Sequence, residues 1–371
     1  MEKRKEKRIL FVATVSRHFY HFHQETFAAL SAEGWEVHCT ALQDSPLPAH
    51  AAFFALPFTR RPVSKGNLIA FFGLYRLLKA GGYAAVHCHT PMGGILGRLA
   101  ALTLRKAYRP TVLYTAHGFH FYKGAPLSGW LVYYPIERIF SRFTDILLTI
   151  NNEDYRVAKQ RLKAKHTIHI NGVGCDTGRF CRAAESVTPT IIYTAELNRN
   201  KNQRLLIEAM PMVLAQYPTA RLLLVGEDNL EGAYQRLAAE VGAAGSVAFL
   251  GKRDDIPQLL STAWVYAASS LREGLPVNVM EAMAAGLPVA ALDNRGHREL
   301  VADGHTGFLV LEKNAERFAQ VLLTLLGDAA LRQSFGSRGT ARVRNLYSKE
   351  TVQAQLLPVY HAITEKGGAP K

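Results

Sequence analysis

The strongest constraint on this chain is a pattern that runs through it twice: short β-rich apolar runs separated by helical stretches. In the first half the strand candidates are 8–14 (RILFVAT), 36–42 (EVHCTAL), 84–89 (AAVHCH), 111–117 (TVLYTAH), 145–150 (DILLTI) and 166–170 (HTIHI), with helical segments such as 92–106 and 152–163 between them. A second series begins near Thr190: 190–195, 220–226, 246–251, 264–269, 287–292 and 307–311, with helices near 202–216, 230–241, 255–261 and 277–285. Strands that are apolar along their length and alternate with helices need cover on both faces, which predicts parallel, doubly wound sheets. Two series predict two α/β domains, 1–180 and 181–345, joined through the polar, Pro-containing stretch 176–189. The end of the chain, 329–365, reads as helix after helix, and the segment 346–371 is expected to pack back on the N-terminal domain. Ligands of such sheets bind beyond the carboxyl ends of the strands, so the expected site is a cleft between the domains.

At 371 residues the chain is long for one domain and comfortable for two. The first apolar run, Ile9–Val12, is too short for a signal core, and no run approaches the length that crosses a bilayer. Cys39, Cys88, Cys175 and Cys181 lack CxxC spacing, which fits a reduced, cytoplasmic protein. Charge is lopsided. Residues 1–180 hold 24 Lys+Arg against 11 Asp+Glu, a net +13, and residues 181–371 hold 20 against 19, a net +1. Such a field suits an anionic partner such as phosphate, acidic lipid or nucleic acid, although a charged face kept for solubility explains it equally.

The densest chemical signal is 272–286 (REGLPVNVMEAMAAG). Gly274 and Pro276 make a loop, and a helix follows over 277–285, closed by Gly286. Free backbone N–H groups at a helix start attract anions, so a diphosphate fits there without a Walker lysine. Glu273 precedes that helix and Glu281 lies in its second turn, both suited to accept from sugar hydroxyls; a solvated pair of glutamates around an ordinary helix start reads as well. His117 and His89 end strands in the first half, and Arg17 and His18 lie in the first strand-to-helix loop. Lys252 and Arg253 lie in a loop expected to pass a nucleotide base, and Asp254-Asp255 starts the next helix.

Glu273 and Glu281 resemble the E-x7-E motif of glycosyltransferase family 4, a similarity that covers nearly the whole chain. HCHTPMGG (87–94), YTAHGFHFYKGAPL (114–127), YYPIER (133–138) and ELNRNKNQ (196–203) are similar in order and spacing to the EpsD/CapM-like bacterial exopolysaccharide and capsule glycosyltransferases. That resemblance implies a GT-B fold, two Rossmann-like domains facing across a cleft. It also implies a hexosyltransferase that retains anomeric configuration and takes a nucleotide-diphosphate sugar, a UDP-sugar, without a metal. By the same resemblance Glu273 would hold donor-sugar hydroxyls, Glu281 the ribose, the Gly274 and Leu275 amides the diphosphate or sugar, and Lys201 the diphosphate charge. His117 would position the sugar. The family's usual Gly-Arg pair is Ala195-Glu196 here, so either Arg199 supplies the second cation or Glu196 orients Lys201. The first loop, Val15-Ser16-Arg17-His18, lacks the family's Gly-Gly pair.

No metal and no other cofactor is expected. The histidines cluster in sequence (18, 21, 23; 87, 89; 117, 120), but four tetrahedral ligands need matching spacing, and no Asp-x-Asp occurs. The expected partners are a nucleotide-sugar, a lipid-linked saccharide acceptor and an anionic membrane surface, with no nucleic acid, at the inner face of the plasma membrane. The membrane expectation rests on the basic half, on Lys3, Arg4, Lys5, Lys7 and Arg8, and on the aromatic segment 119–140 with Lys123, Arg138 and Arg142. Rival readings are a GT-B nucleotide-sugar 2-epimerase, a dinucleotide oxidoreductase, disfavoured because no G-x-G-x-x-G follows a strand, and a non-enzymatic anion- or nucleic-acid-binding protein, which lacks any recognisable module.

Overall fold

A computed structural model describes residues 7–364. The described residues divide into two compact units, 7–173 with 352–364, and 174–351. The first unit is built on a seven-stranded sheet: β1 Arg8–Val15, β2 Glu36–Leu42, β3 Ala52–Ala55, β4 Ala85–Cys88, β5 Thr111–Ala116, β6 Ile146–Thr149 and β7 His166–His169. Its order is β3-β2-β1-β4-β5-β6-β7, with every pair parallel. The second unit carries a six-stranded sheet: β8 Thr190–Thr194, β9 Arg221–Val225, β10 Val247–Gly251, β11 Val265–Ala268, β12 Val289–Leu292 and β13 Gly307–Val310. Its order is β10-β9-β8-β11-β12-β13, again all parallel. Both sheets are doubly wound, as the alternation predicts.

The central strands explain why. β4, β6, β8, β11 and β12 are buried at every position, which only a sheet covered on both faces requires. β3 escapes the sequence reading. It is a four-residue edge strand, paired only to β2, with its residues exposed or half-buried, so neither alternation nor a long apolar run marks it. In the first core, Leu10, Val12, Val86, Val112 and Leu147 from the strands meet Leu74 and Leu96 from the helices Lys65–Gly81 and Pro91–Thr103.

In each sheet the strand order reverses at one place, between β1 and β4 in the first and between β8 and β11 in the second. Loops on either side of such a point diverge and leave a crevice at the carboxyl edge, where doubly wound sheets hold ligands.

The chain passes between units at 173/174 and again at 351/352. The polar stretch 176–189 is fastened to the second unit. Arg182 Nη1 donates to the Ala263 carbonyl at 2.6 Å, and Glu185 pairs with the buried Arg332 at 2.7 Å. Residues 352–364, the larger part of the helix Lys349–Thr364, belong with the first unit. There the Tyr360 hydroxyl lies 2.8 Å from His87 Nδ1, and Gln353 Nε2 donates to Thr26 Oγ1 at 2.7 Å. No helix among the described residues is long and apolar enough to cross a membrane.

Candidate active site

In the second unit the crevice between β8 and β11 gathers the most distinctive residues of the chain. The loop after β8 carries Lys201 and the loop after β11 carries Glu273. Lys201 Nζ and Glu273 Oε1 are 2.6 Å apart, with side chains only 22% and 14% exposed. The two loops are sewn together by backbone contacts. The Leu271 amide donates to the Asn200 carbonyl at 2.8 Å. Asn200 Nδ2 donates to the Arg272 carbonyl at 3.1 Å, and Ser269 Oγ donates to the Lys201 carbonyl at 2.9 Å. Burial pushes the Glu273 carboxyl upward, but the Lys201 ammonium and the Ser270 hydroxyl outweigh it and hold the group below its ordinary value. Glu273 is therefore a carboxylate at neutral pH, beside a fixed cation.

The helix Val277–Ala284 starts just beyond. Asn278 Nδ2 donates to the Thr194 carbonyl at the end of β8, 2.7 Å away, so the start of the helix is tied to the same crevice. Its other face is buried through Val279, Met280, Ala282 and Met283, and Thr340 Oγ1 holds the Met283 carbonyl at 2.9 Å. Glu281 is half-buried, and burial raises its carboxyl to about 7, against a smaller opposing pull from Arg179. The charges of Glu281 and Glu273 both push the buried Tyr266 hydroxyl upward, after the larger effect of burial.

Four further residues belong here that the sequence did not single out. Asn294 caps the helix Arg295–Leu300 and sends Nδ2 to the Ser270 carbonyl at 2.9 Å. Arg295 Nε donates to the Glu273 carbonyl at 3.1 Å. A Cβ on Gly296 would stand 2.8 Å from the Glu273 Cβ, so only glycine lets this helix approach the Glu273 loop. His297 is fully buried and faces the field of Glu273 and Lys201, and its Nε2 has no hydrogen-bond partner. The only signal in sequence is position: NRGH follows strand β12 at the same sheet edge.

Other sequence candidates stand apart from this pair. Arg199 and Lys252 are exposed. Arg253 is engaged by Asp255, Nη2 to Oδ2 2.6 Å. Glu196 is exposed and its carboxylate accepts from Asn229 Nδ2 at 3.4 Å. Leu275 is buried, and Gly274 lies between it and Glu273.

The first unit has its own crevice, between β1 and β4, and it is lined with histidine. His18 follows β1, His89 follows β4 and His117 follows β5. His89 Nδ1 lies 3.1 Å from His117 Nε2, and His18 Nε2 lies 3.2 Å from His23 Nε2. His87 is held by Tyr360 and, at 2.8 Å, by Thr115 Oγ1. Burial drives all five below the ordinary imidazole value, His23 to about 3 and His117 to about 4, and mutual repulsion adds to it for all but His117. They are neutral at physiological pH. Gly118 has φ 132°, and the next amide, Phe119, donates to the buried Asp154 carboxylate at 3.1 Å, which fixes the turn that presents His117. Arg17 is bound to Asp44 at 2.5 Å.

In the aromatic segment the rings other than Tyr133 are buried or half-buried. Phe119 and Phe121 are buried, and Trp130 and Tyr134 pack against the same core. The exposed apolar side chains are Leu127 (78% exposed), Leu131 (73%), Ile139 (53%), Val132 (51%) and Tyr133 (42%).

Comparison with known proteins identifies the family and the fold. The family model for glycosyl transferases group 1 matches residues 179–342, and that for glycosyl transferase 4-like proteins matches residues 8–151. The chain is 41% identical to the Bacillus subtilis (strain 168) protein named "Putative glycosyltransferase EpsD", over 96% of this chain and 97% of that one. It is 28% identical to the UDP-Gal:alpha-D-GlcNAc-diphosphoundecaprenol alpha-1,3-galactosyltransferase of Escherichia coli, over 83% and 84% of the two chains. Among solved structures, sucrose-phosphate synthase from Thermosynechococcus elongatus superposes with a TM-score of 0.78 at 23% identity, over 96% of this chain and 98% of that one. Anabaena HepE in complex with UDP-glucose does so with 0.76 at 21% identity, over 94% and 98%. The β8–β11 crevice with its lysine and two glutamates thus lies within the segment that the group 1 family shares, and the chain belongs to the family 4 glycosyltransferases of GT-B fold.

Proposed function

We propose that this enzyme transfers a sugar from a UDP-sugar to a lipid-linked saccharide at the cytoplasmic face of the membrane, with retention of configuration and without a metal. The observation that carries the proposal is the Lys201–Glu273 pair at the β8–β11 switch point. In this reading the donor diphosphate lies against Lys201 and the start of the helix Val277–Ala284, where a fixed cation and helix-start amides meet the charge that develops as the nucleotide leaves. Arg199, exposed on the same loop, supplies a second cation. Glu273, held ionised, accepts from sugar hydroxyls, and Glu281 accepts from the ribose. The Gly274 and Leu275 amides approach the diphosphate or sugar, and the Lys252–Arg253 loop passes the base. His117 is a neutral imidazole that positions the sugar, with His89 behind it and Arg17 at the edge of the same loop cluster. The acceptor hydroxyl attacks from the face that the leaving group vacates, which retains configuration.

Support for the donor and acceptor classes comes from the relatives. The Escherichia coli protein is named for a UDP-galactose donor and a diphosphoundecaprenol-linked acceptor, and HepE binds UDP-glucose. The test is Lys201→Ala and Glu273→Ala, each checked for folding by circular dichroism. Loss of one such contact costs on the order of 2–4 kcal/mol in the transition state, a fall in turnover of roughly 10²–10³-fold. Wild-type turnover in either folded variant overturns the placement.

A further inference from the structure

We infer that the histidine cluster of the first unit is a binding site for a borderline divalent transition ion, zinc foremost, held by His18, His89 and His117. The three residues come from three separate segments, yet each offers a ring nitrogen and all three nitrogens lie within 4.8 Å of one another. Zinc holds imidazole nitrogen at about 2.0–2.1 Å, so two ligands on a tetrahedral ion stand roughly 3.3–3.4 Å apart. His89 Nδ1 and His117 Nε2 already stand at 3.1 Å. The third nitrogen needs only a modest side-chain rotation to close the face. His23 Nε2, 3.2 Å from His18 Nε2, stands behind it as a fourth candidate.

Two further observations bear on the site. The rings are packed on one another rather than on carboxylates, with His18 and His117 centroids 4.8 Å apart and His89 and His117 5.4 Å apart. Two buried ring nitrogens of the cluster, His23 Nδ1 and His89 Nε2, have no hydrogen-bond partner, the latter across the ring from the Nδ1 that meets His117. A cavity of about 20 Å³, room for a single water, is lined by His23, His87, His89 and His117 but not by His18, so it adjoins the three-nitrogen face. Imidazole is the ligand type that favours zinc, copper, nickel and iron over magnesium or calcium. Three histidines, with His23 or a water in the fourth position, make up the four ligands of a tetrahedral zinc ion.

The ion is not a cofactor of the transfer reaction. It ties up His117, so zinc acts as an inhibitor; this consequence, unlike the site itself, rests on the sugar-positioning role proposed above for His117.

The experiment uses the untagged full-length protein, stripped with chelator, and measures zinc by competition with a chromophoric chelator and by elemental analysis. The expected result is about one zinc per chain, weakened at least roughly tenfold in His18→Gln and in His89→Gln and unchanged in His305→Gln, an exposed histidine of the second unit. Cobalt added to the wild-type protein, which needs no variant to fold, should give the intense visible bands of a tetrahedral site. Zinc held no more tightly than by the His18→Gln/His89→Gln double variant, or a cobalt spectrum of the hydrated octahedral ion alone, overturns the site and leaves the histidines as a hydrogen-bonded network. Zinc that binds without slowing transfer supports the site and overturns the role of His117 in positioning the sugar.

Discussion

Two carboxylates eight residues apart are placed in opposite electrostatic states. Glu273 is held ionised by Lys201, whereas Glu281 lacks so close a cation and burial lifts it to about 7 from its ordinary 4.5. The sign of the consequence follows directly. The folded protein binds the Glu281 proton more tightly than the unfolded chain does, so stability falls as pH rises from about 4.5 through 7 and levels off above that. The full shift corresponds to about 3 kcal/mol, and partial exposure of the side chain reduces it to about 1–2 kcal/mol. Glu281→Gln should therefore raise the stability of the free enzyme at pH 8 by that amount and change little at pH 4.5, as read by urea unfolding at the two pH values, while weakening donor binding. Equal effects at both pH values contradict this account of Glu281. Glu273, Glu281, Lys201 and His117 were legible in the sequence because a motif or a strand end marks them. Gly296 and His297 were not, because their importance lies in a 2.8 Å approach to the Glu273 Cβ and in a buried nitrogen, which leave no spacing behind.

Among the elements, the central strands were legible because burial on both faces writes a continuous apolar run. The edge strand β3 was not, since it is short and half-covered. The motif YYPIER shows what a motif can hide. Glu137, in the helix Tyr134–Ser141, pairs at 3.0 Å with Arg98, which is 1% exposed on the helix Pro91–Thr103. It also accepts from the Tyr114 hydroxyl of β5 at 3.1 Å, and the Arg98 guanidinium lies 4.0 Å from the Tyr114 ring. Two helices and a strand of the first unit are thus locked through one buried guanidinium. Removing its partner leaves a buried charge uncompensated, which costs about 3–5 kcal/mol. Glu137→Ala should lose that much stability in urea unfolding, and Glu137→Gln somewhat less. A change below about 1 kcal/mol in Glu137→Ala shows that the pair is not the lock described here. The histidine convergence was equally illegible in sequence, because the loops after β1, β4 and β5 meet only once the sheet order is known.

For the whole molecule, charge and exposed apolar surface bear on where it works and what it joins. The net +13 of residues 1–180 and the exposed Leu127, Leu131, Val132 and Ile139 favour reversible docking on anionic membrane. Lys3, Arg4 and Lys5 lie outside the described residues, and Arg8 is engaged by Glu36 at 2.7 Å, so the remaining basic residues of the first unit must carry the attraction. At about 1 kcal/mol each near such a surface, a handful suffices, and salt weakens them. The expected outcome is co-sedimentation with anionic vesicles at low salt, lost at high salt and absent with neutral lipid; protein that stays in the supernatant with anionic vesicles at low salt points to a soluble acceptor. The most direct test of the central claim is a transfer assay on the full chain in EDTA. UDP-, GDP- and ADP-sugars are offered with an undecaprenyl-diphosphate-linked saccharide, and the lipid product is read by mass spectrometry. A lysine and a helix start that neutralise the diphosphate predict one added glycosyl residue from a UDP-sugar, at a rate that Mg²⁺ does not raise. Transfer that needs Mg²⁺ or Mn²⁺, or that proceeds from GDP- or ADP-sugar and not from UDP-sugar, contradicts it.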